Sequence, residues 1–205
     1  MSNIINLFPT KIYKVKLDIN HKKLSDFIEN LWNIHYRDVI DNNYKSMRDG
    51  SLCIYNIVKN LHSYEETLEF RQAIDYHIQI YWKELGYDLK YLNNIKLFQM
   101  WSNIYKKDSF IDIHNHSPAI LTSNYYVKKS NDSSNIRFLD PNEMILKYQP
   151  LNINFDNYAD LCEEEINVSE GDLVIFPGYL KHRTLPNSSV EDRVTITSNF
   201  LINNS

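Results

Sequence analysis

A chain of 205 residues with a formal net charge of −4 is long enough to bury one substantial core. Its 22 Lys and Arg are scattered and form no basic tract, which argues against nucleic acid as a partner, and no stretch reaches the roughly 18 apolar residues of a membrane span. Cys53 and Cys162 match neither a metal-binding pair nor a disulfide framework and no secretory leader opens the chain, so the expectation is a single cytoplasmic domain over residues 1–205 with no membrane partner.

The chain begins with a strand-like stretch, INLFPTKIYKVKLD. Leu24, Phe27, Ile28, Leu31, Trp32 and His35 then recur at i, i+3, i+4 spacing and predict an amphipathic helix. A second helix is predicted from a capping box of Ser63 and Glu66, a stripe of Phe70, Ala73, Ile74, His77, Ile78, Tyr81 and Leu85, and a stop at Gly86. His21 and His62 stand just before these helices and are expected in solvent. His35 and His77 fall on the apolar stripes and are expected as hydrogen-bonded core or boundary imidazoles.

From about residue 94 the apolar period changes from 3.6 to 2. NIKLFQMWSNIY, FIDIH, ILTSNYYVK, NIRFLD, EINV, DLVIFP and RVTITSNFLI read as short strands separated by Asn, Asp, Ser, Pro and Gly. The predicted fold is α+β. An N-terminal strand and supporting helices (residues 1–93) pack on one sheet of a β-sandwich or barrel (residues 94–205), and the β half carries the chemistry.

Three histidines fall in that half. In SFIDIHNHSPAI an extended strand would put His114 and His116 on one face, with Asp112 behind them and Ile111 and Ile113 on the other. His-x-His alone is weak evidence for metal. The third histidine strengthens it: EGDLVIFPGYLKH reads as a turn at Gly171, a buried strand and a turn at Pro177 and Gly178, with His182 opening the next strand. A pair from one strand and a third from a distant one make a facial metal site with open positions. Further on, Arg193 and Thr195 alternate onto one face, Val194 and Ile196 onto the other. An inward arginine needs an anionic partner, either an internal Asp or Glu or a ligand carboxylate. A metal triad with such an arginine asks for a ligand carrying a carboxylate at one end and a chelating group at the other, and 2-oxoglutarate has that shape.

These residues resemble the Fe(II)- and 2-oxoglutarate-dependent oxygenases, built on a double-stranded β-helix (jelly-roll, cupin-like) core. The likeness is nearest to the short oxygenases of bacteria and their phages. It runs through LFPT (7–10), Trp101 and Asn103, His-x-His, YYV (125–127), GDLVIFP (171–177), His182, and Arg193 with Thr195. It implies His114 and His182 as iron ligands and Arg193, with Thr195 beside it, as the clamp on the far carboxylate of 2-oxoglutarate. Asn103 and Tyr105 are implied as further cosubstrate contacts. It implies O2 as the other small-molecule partner, and the host cytoplasm as the location if the gene belongs to a phage.

The chain departs from this pattern where the superfamily has its carboxylate: here stands His116. A three-histidine face (His114, His116, His182) is the simplest reading. Asp112 as the carboxylate, or water in the third position, are the alternatives. Three neutral imidazoles would leave Fe(II) at its full charge, attracting a dianionic cosubstrate more strongly and making the iron harder to oxidise. Two other departures are Thr122 to Asn124, where relatives tend to carry Ser-Gly, and Asp108, where a glycine turn is common. Substrate contacts are expected from loops 128–135 and 143–160, and the substrate is expected to be a peptide side chain or a small molecule. Tyr148 and Tyr158 of the second loop are read first as core and rim packing and second as stacking surfaces for a flat ligand or a peptide. A three-histidine metalloenzyme indifferent to 2-oxoglutarate and a jelly-roll binding module without catalysis are the rival readings.

Overall fold

The computed structural model describes residues 9–41, 52–53, 61–142 and 163–203. The first helical pattern forms α1 (His21–Asp41), burying Leu24, Ile28, Leu31, Trp32 and Val39. His35 sits half-buried at the edge of that stripe, 3.5 Å from Asp38. The second forms α2 (Leu68–Glu84), burying Phe70, Ile74, Ile78, Tyr81 and Trp82, and Gly86 ends it at φ +77°, a conformation open mainly to glycine.

The capping box of Ser63 and Glu66 does not start α2. Two 3-10 turns, Leu61–Ser63 and Glu65–Thr67, precede the helix, and Thr67 takes the N-cap position without a side-chain cap. Its hydroxyl instead donates backwards to the Tyr64 carbonyl at 2.8 Å. That local bond competes with capping and favours the tighter turn.

Each of the period-2 segments forms a strand, and the strands pair in antiparallel ladders. In chain order the strands are β1 (Tyr13–Lys16), β2 (Leu52–Cys53), β3 (Ile95–Tyr105), β4 (Ile111–His114), β5 (Leu121–Lys128), β6 (Ile136–Leu139), β7 (Glu163–Ile166), β8 (Asp172–Pro177), β9 (His182–Thr184) and β10 (Arg193–Ile202). They make a six-stranded sheet, β1-β8-β5-β10-β3-β2, and a four-stranded sheet, β4-β9-β6-β7. The two-residue β2 is too short to leave a periodic signal. With β1 it makes the N-terminal segment a contributor of both edge strands of the larger sheet as well as of the helices.

Each face of the larger sheet has its own core. On the outer face Met100, Leu121, Tyr125, Leu173, Ile175, Ile196 and Phe200 meet the buried stripes of α1 and α2. Each such side chain contributes about 1.5–3 kcal/mol on burial, so the helices are needed to cover this face and are not an appendage. Two polar links fix the docking: Trp32 Nε1 donates to Ser102 Oγ at 3.0 Å, and His77 Nδ1 pairs with the Tyr13 hydroxyl at 2.8 Å. On the inner face Tyr126, Val174 and Phe176 meet Ile136 and Phe138 of the smaller sheet.

Two histidines expected in solvent are not there. His21 opens α1 with Nδ1 2.7 Å from the Tyr125 hydroxyl and Nε2 3.1 Å from Glu170, because the helix start lands on the outer sheet face. His62 lies half-buried within the first 3-10 turn, where burial pushes its pKa down.

Candidate active site

The histidine-bearing strand does not alternate as its sequence suggests. In the β4–β9 ladder Ile111 pairs with Thr184 and His114 with His182, so two residues on β4, Asp112 and Ile113, oppose one on β9, Arg183. This is a β-bulge, and it rotates the residues inside it off the expected face. Asp112 and Ile113 are both exposed, while Ile111 and His114 occupy the ladder positions. The expectation that Asp112 shares the histidine face is therefore corrected. Its carboxylate accepts from the Ile113 amide at 2.7 Å, and its backbone carbonyl accepts from His114 Nδ1 at 2.8 Å.

His116 lies beyond the strand, in a turn that brings it back beside His114. The His116 amide donates to the Gly178 carbonyl at 2.8 Å, and the Ala119 amide donates to the His116 carbonyl at 2.7 Å. Gly178 permits this contact: a Cβ there would stand 2.0 Å from the Ala119 carbonyl oxygen. His182 opens β9 and is 1% exposed.

The three imidazoles converge. One ring nitrogen from each of His114, His116 and His182 lies within 4.8 Å of the other two. The His114 and His182 ring centroids are 4.3 Å apart, and His116 stacks on His182 at 5.1 Å. His182 Nδ1 is 3.0 Å from the Leu180 carbonyl. With Nδ1–H held by a carbonyl in both His114 and His182, the lone pair falls on Nε2, the nitrogen turned to the cluster. Nε2 of His116 and of His182 is buried without a hydrogen-bond partner. Burial, with His114 beside it, pushes His116 down to about 3, and burial with both neighbouring imidazoles holds His182 well below the usual histidine range. The orphaned Nε2 atoms of His116 and His182, converging with a ring nitrogen of His114, are a fitting donor set for a divalent cation of the Fe(II) type.

On the inner face of the larger sheet, β10 and β3 set Arg193 directly opposite Tyr105 and Thr195 opposite Asn103. Arg193 is 1% exposed. Its Nη1 donates to the carbonyl and, at 2.8 Å, to the hydroxyl of Ser134, and its guanidinium carbon lies 3.9 Å from the Tyr105 ring centre. Nε and Nη2 have no partner, and no carboxylate among the described residues pairs with them. Burial raises the Tyr105 hydroxyl, with the Arg193 charge opposing, and so keeps it a donor. Asn103 reaches the expected face, but its Nδ2 donates to Thr197 Oγ1 at 3.4 Å.

The sequence pattern assigned no site role to Ser134, Trp101 or Phe176, although the last two fall in the Trp101/Asn103 and GDLVIFP motifs. Ser134 backs Arg193, so loop 128–135 reaches the inner face at that end of the larger sheet. Trp101 packs on His116 at 5.8 Å, and Phe176 on His182 at 4.7 Å. Asp108, expected in a turn that favours glycine, has φ +65°. Loop 143–160 with Tyr148 and Tyr158, Cys162, and Leu7 and Phe8 lie outside the described residues.

Residues 99–199 match the family described as "Putative 2OG-Fe(II) oxygenase". Over these residues the chain has the pattern of a 2OG-Fe(II) oxygenase domain. Its two antiparallel sheets with covering helices are the jelly-roll arrangement of that family, and the three-histidine cluster, in place of a carboxylate, fits iron. Among solved structures it resembles a prolyl-4-hydroxylase from Pseudomonas putida, at TM-score 0.62 and 12% identity over 95% of this chain and 94% of that one. AviO1 from Streptomyces viridochromogenes Tue57 is similar at TM-score 0.61 and 12% identity, covering 96% and 91%. HygX from Streptomyces hygroscopicus, in a structure with nickel and 2-oxoglutarate bound, is similar at TM-score 0.54 and 11% identity, covering 93% and 82%. No functionally curated protein matches the sequence. No helix among the described residues is long and apolar enough to cross a membrane.

Proposed function

We propose that the protein is an Fe(II)- and 2-oxoglutarate-dependent dioxygenase that hydroxylates a peptide side chain or a small molecule. His114, His116 and His182 hold the iron. Arg193 holds the distal carboxylate of 2-oxoglutarate through Nε and Nη2, with the Tyr105 and Thr195 hydroxyls beside it. The observation that carries this reading is the pair of buried, unpartnered Arg193 donors on the inner face of the larger sheet, the face that packs against the smaller sheet with its histidines. A buried guanidinium left half-satisfied is strongly unfavourable unless an anion completes it.

Bound iron and 2-oxoglutarate supply the oxidising power: one O2 is consumed, 2-oxoglutarate becomes succinate and CO2, and a substrate C–H becomes C–OH. The chain's own residues orient and exclude. The carbonyls of Asp112 and Leu180 keep His114 and His182 in one tautomer. Phe138 and Phe176 wall His182 from water, with ring centroids at 5.8 and 4.7 Å. A metalloenzyme indifferent to 2-oxoglutarate would need Arg193 paired internally, and its contacts with Ser134 supply no charge. The test is anaerobic addition of Fe(II) and 2-oxoglutarate to the apoprotein. A visible charge-transfer band of the iron–keto-acid chelate, lost in Arg193→Ala, is expected. Iron binding without the band would refute the assignment.

A further inference from the structure

The inner face of the larger sheet is polar where a sandwich interior is ordinarily apolar, and the ladder registers arrange its side chains in rows. Arg193 faces Tyr105 in the first row. Thr195 lies between Asn103 and Tyr126 in the second, and Thr197 between Trp101 and Asn124 in the third. Asn199 lies between Gln99 and Thr122 in the fourth. Successive rows are roughly 7 Å apart, two residues of extended strand. Trp101 packs on His116, and Phe176, paired with Thr122, packs on His182, so the histidine cluster stands over the third and fourth rows. A 2-oxoglutarate gripped by Arg193 would extend across the second row and bring its keto-acid end to the third.

That third row is organised by hydrogen bonds. Asn103 Nδ2 donates to Thr197 Oγ1 at 3.4 Å, and Thr197 Oγ1 donates to Asn124 Oδ1 at 2.9 Å. A hydroxyl has one proton, so a Thr197 that accepts from Asn103 must give its proton to Asn124. This turns the Asn124 oxygen toward Thr197 and its Nδ2 away from it. Asn124 is half-buried, and its Nδ2 has no partner among the described residues. Its Nδ2 is a donor pre-aimed from a hydrogen-bonded polar line and open to an acceptor that a ligand can supply.

We propose that Asn124 is a cosubstrate-binding residue: its Nδ2 donates to the carboxylate at the keto-acid end of 2-oxoglutarate, with Thr197 and Asn103 as the positioning residues that aim it. The proposal rests on the function given above. Chelation to a metal uses one oxygen of that carboxylate and leaves the other in need of a donor. Arg193 is engaged at the opposite end, and the three histidines present lone pairs to the metal.

The experiment is anaerobic titration of the iron-loaded, full-length protein with 2-oxoglutarate and, separately, with 2-oxobutyrate, which keeps the keto-acid end and lacks the distal carboxylate. Asn124→Leu should weaken both ligands about tenfold or more, as loss of a hydrogen bond to a charged group does. Arg193→Ala should weaken 2-oxoglutarate and leave 2-oxobutyrate unchanged. Thr197→Val, which keeps the shape and removes the hydroxyl, should weaken both ligands less than Asn124→Leu. The double variant should be no weaker than Asn124→Leu alone, because the two residues act as one unit. Asn124→Asp, nearly isosteric and without the donor, guards against a folding defect and should weaken both ligands further. Iron affinity and melting temperature serve as controls. Wild-type affinity in Asn124→Leu with loss in Arg193→Ala would overturn the proposal and leave the function standing. Equal weakening of iron binding would overturn it by making Asn124 structural. No keto-acid binding by the wild type would overturn both.

Discussion

Replacing Arg193 by methionine should move two measurements in opposite directions. The guanidinium is buried, is held by Ser134 and the Tyr105 ring, and keeps two donors unpaired. Truncating one partner of a buried, hydrogen-bonded charge pair costs about 2–5 kcal/mol of binding, so 2-oxoglutarate should bind roughly 30-fold to several-thousand-fold more weakly. The ligand-free protein should respond the other way. Methionine of similar length removes an uncompensated charge from the interior, and exchanging buried charges for apolar groups is typically neutral to stabilising by about 1–4 kcal/mol. Against this stand the lost Ser134 bonds and the cation–π contact, roughly 1–3 kcal/mol together. The net is a melting temperature at or slightly above wild type. Thermal melts of the metal-loaded protein with and without 2-oxoglutarate read both effects, since a ligand binding only the folded state raises the midpoint by mass action. Wild type should show a 2-oxoglutarate shift and Arg193→Met none. A variant that melts several degrees below wild type and keeps its 2-oxoglutarate shift would refute the reasoning, because Arg193 would then be a structural residue.

Metal affinity measured for His116→Ala, His182→Ala and Asp112→Ala should fall in the first two by more than the roughly 10–100-fold typical of losing an outer partner, and stay unchanged in the third. A loss confined to Asp112→Ala would restore the carboxylate reading. Gly178→Ala puts a methyl 2.0 Å from the Ala119 carbonyl and should displace the turn that carries His116. The expected result is weaker metal binding together with destabilisation of about 1–3 kcal/mol, read by metal titration and denaturant melts. The apoprotein should lose stability on acidification. The folded His116 is held down to about 3 and the folded His182 well below the usual range, so the unfolded chain takes up protons first. Stability is full above the unfolded value of about 6.5 and declines as pH falls below it toward the folded values, by at most about 1.4 kcal/mol per pH unit for each imidazole. His116→Leu should flatten that slope, and an unchanged slope would count against a buried neutral His116.

What the sequence by itself determined is what depends on near neighbours along the chain. The stripes of α1 and α2 and the period-2 runs are local patterns, and each became an element of the expected type. The same holds for the turns at Gly86, Gly171 and Asp108, all at positive φ, and for the inward-facing Arg193 and Thr195. What only the tertiary structure decided depends on which distant strand lies opposite. The bulge that removes Asp112 from the histidine face exists only against β9, about seventy residues on. Asn103, Thr197 and Asn124 become one hydrogen-bonded line only because β3, β10 and β5 pair in that register. Ser134 under Arg193 and Tyr125 on His21 are meetings of the same kind. A side chain's local pattern states which way it points, while strand register, set by the packing of the whole sheet, states what it meets there.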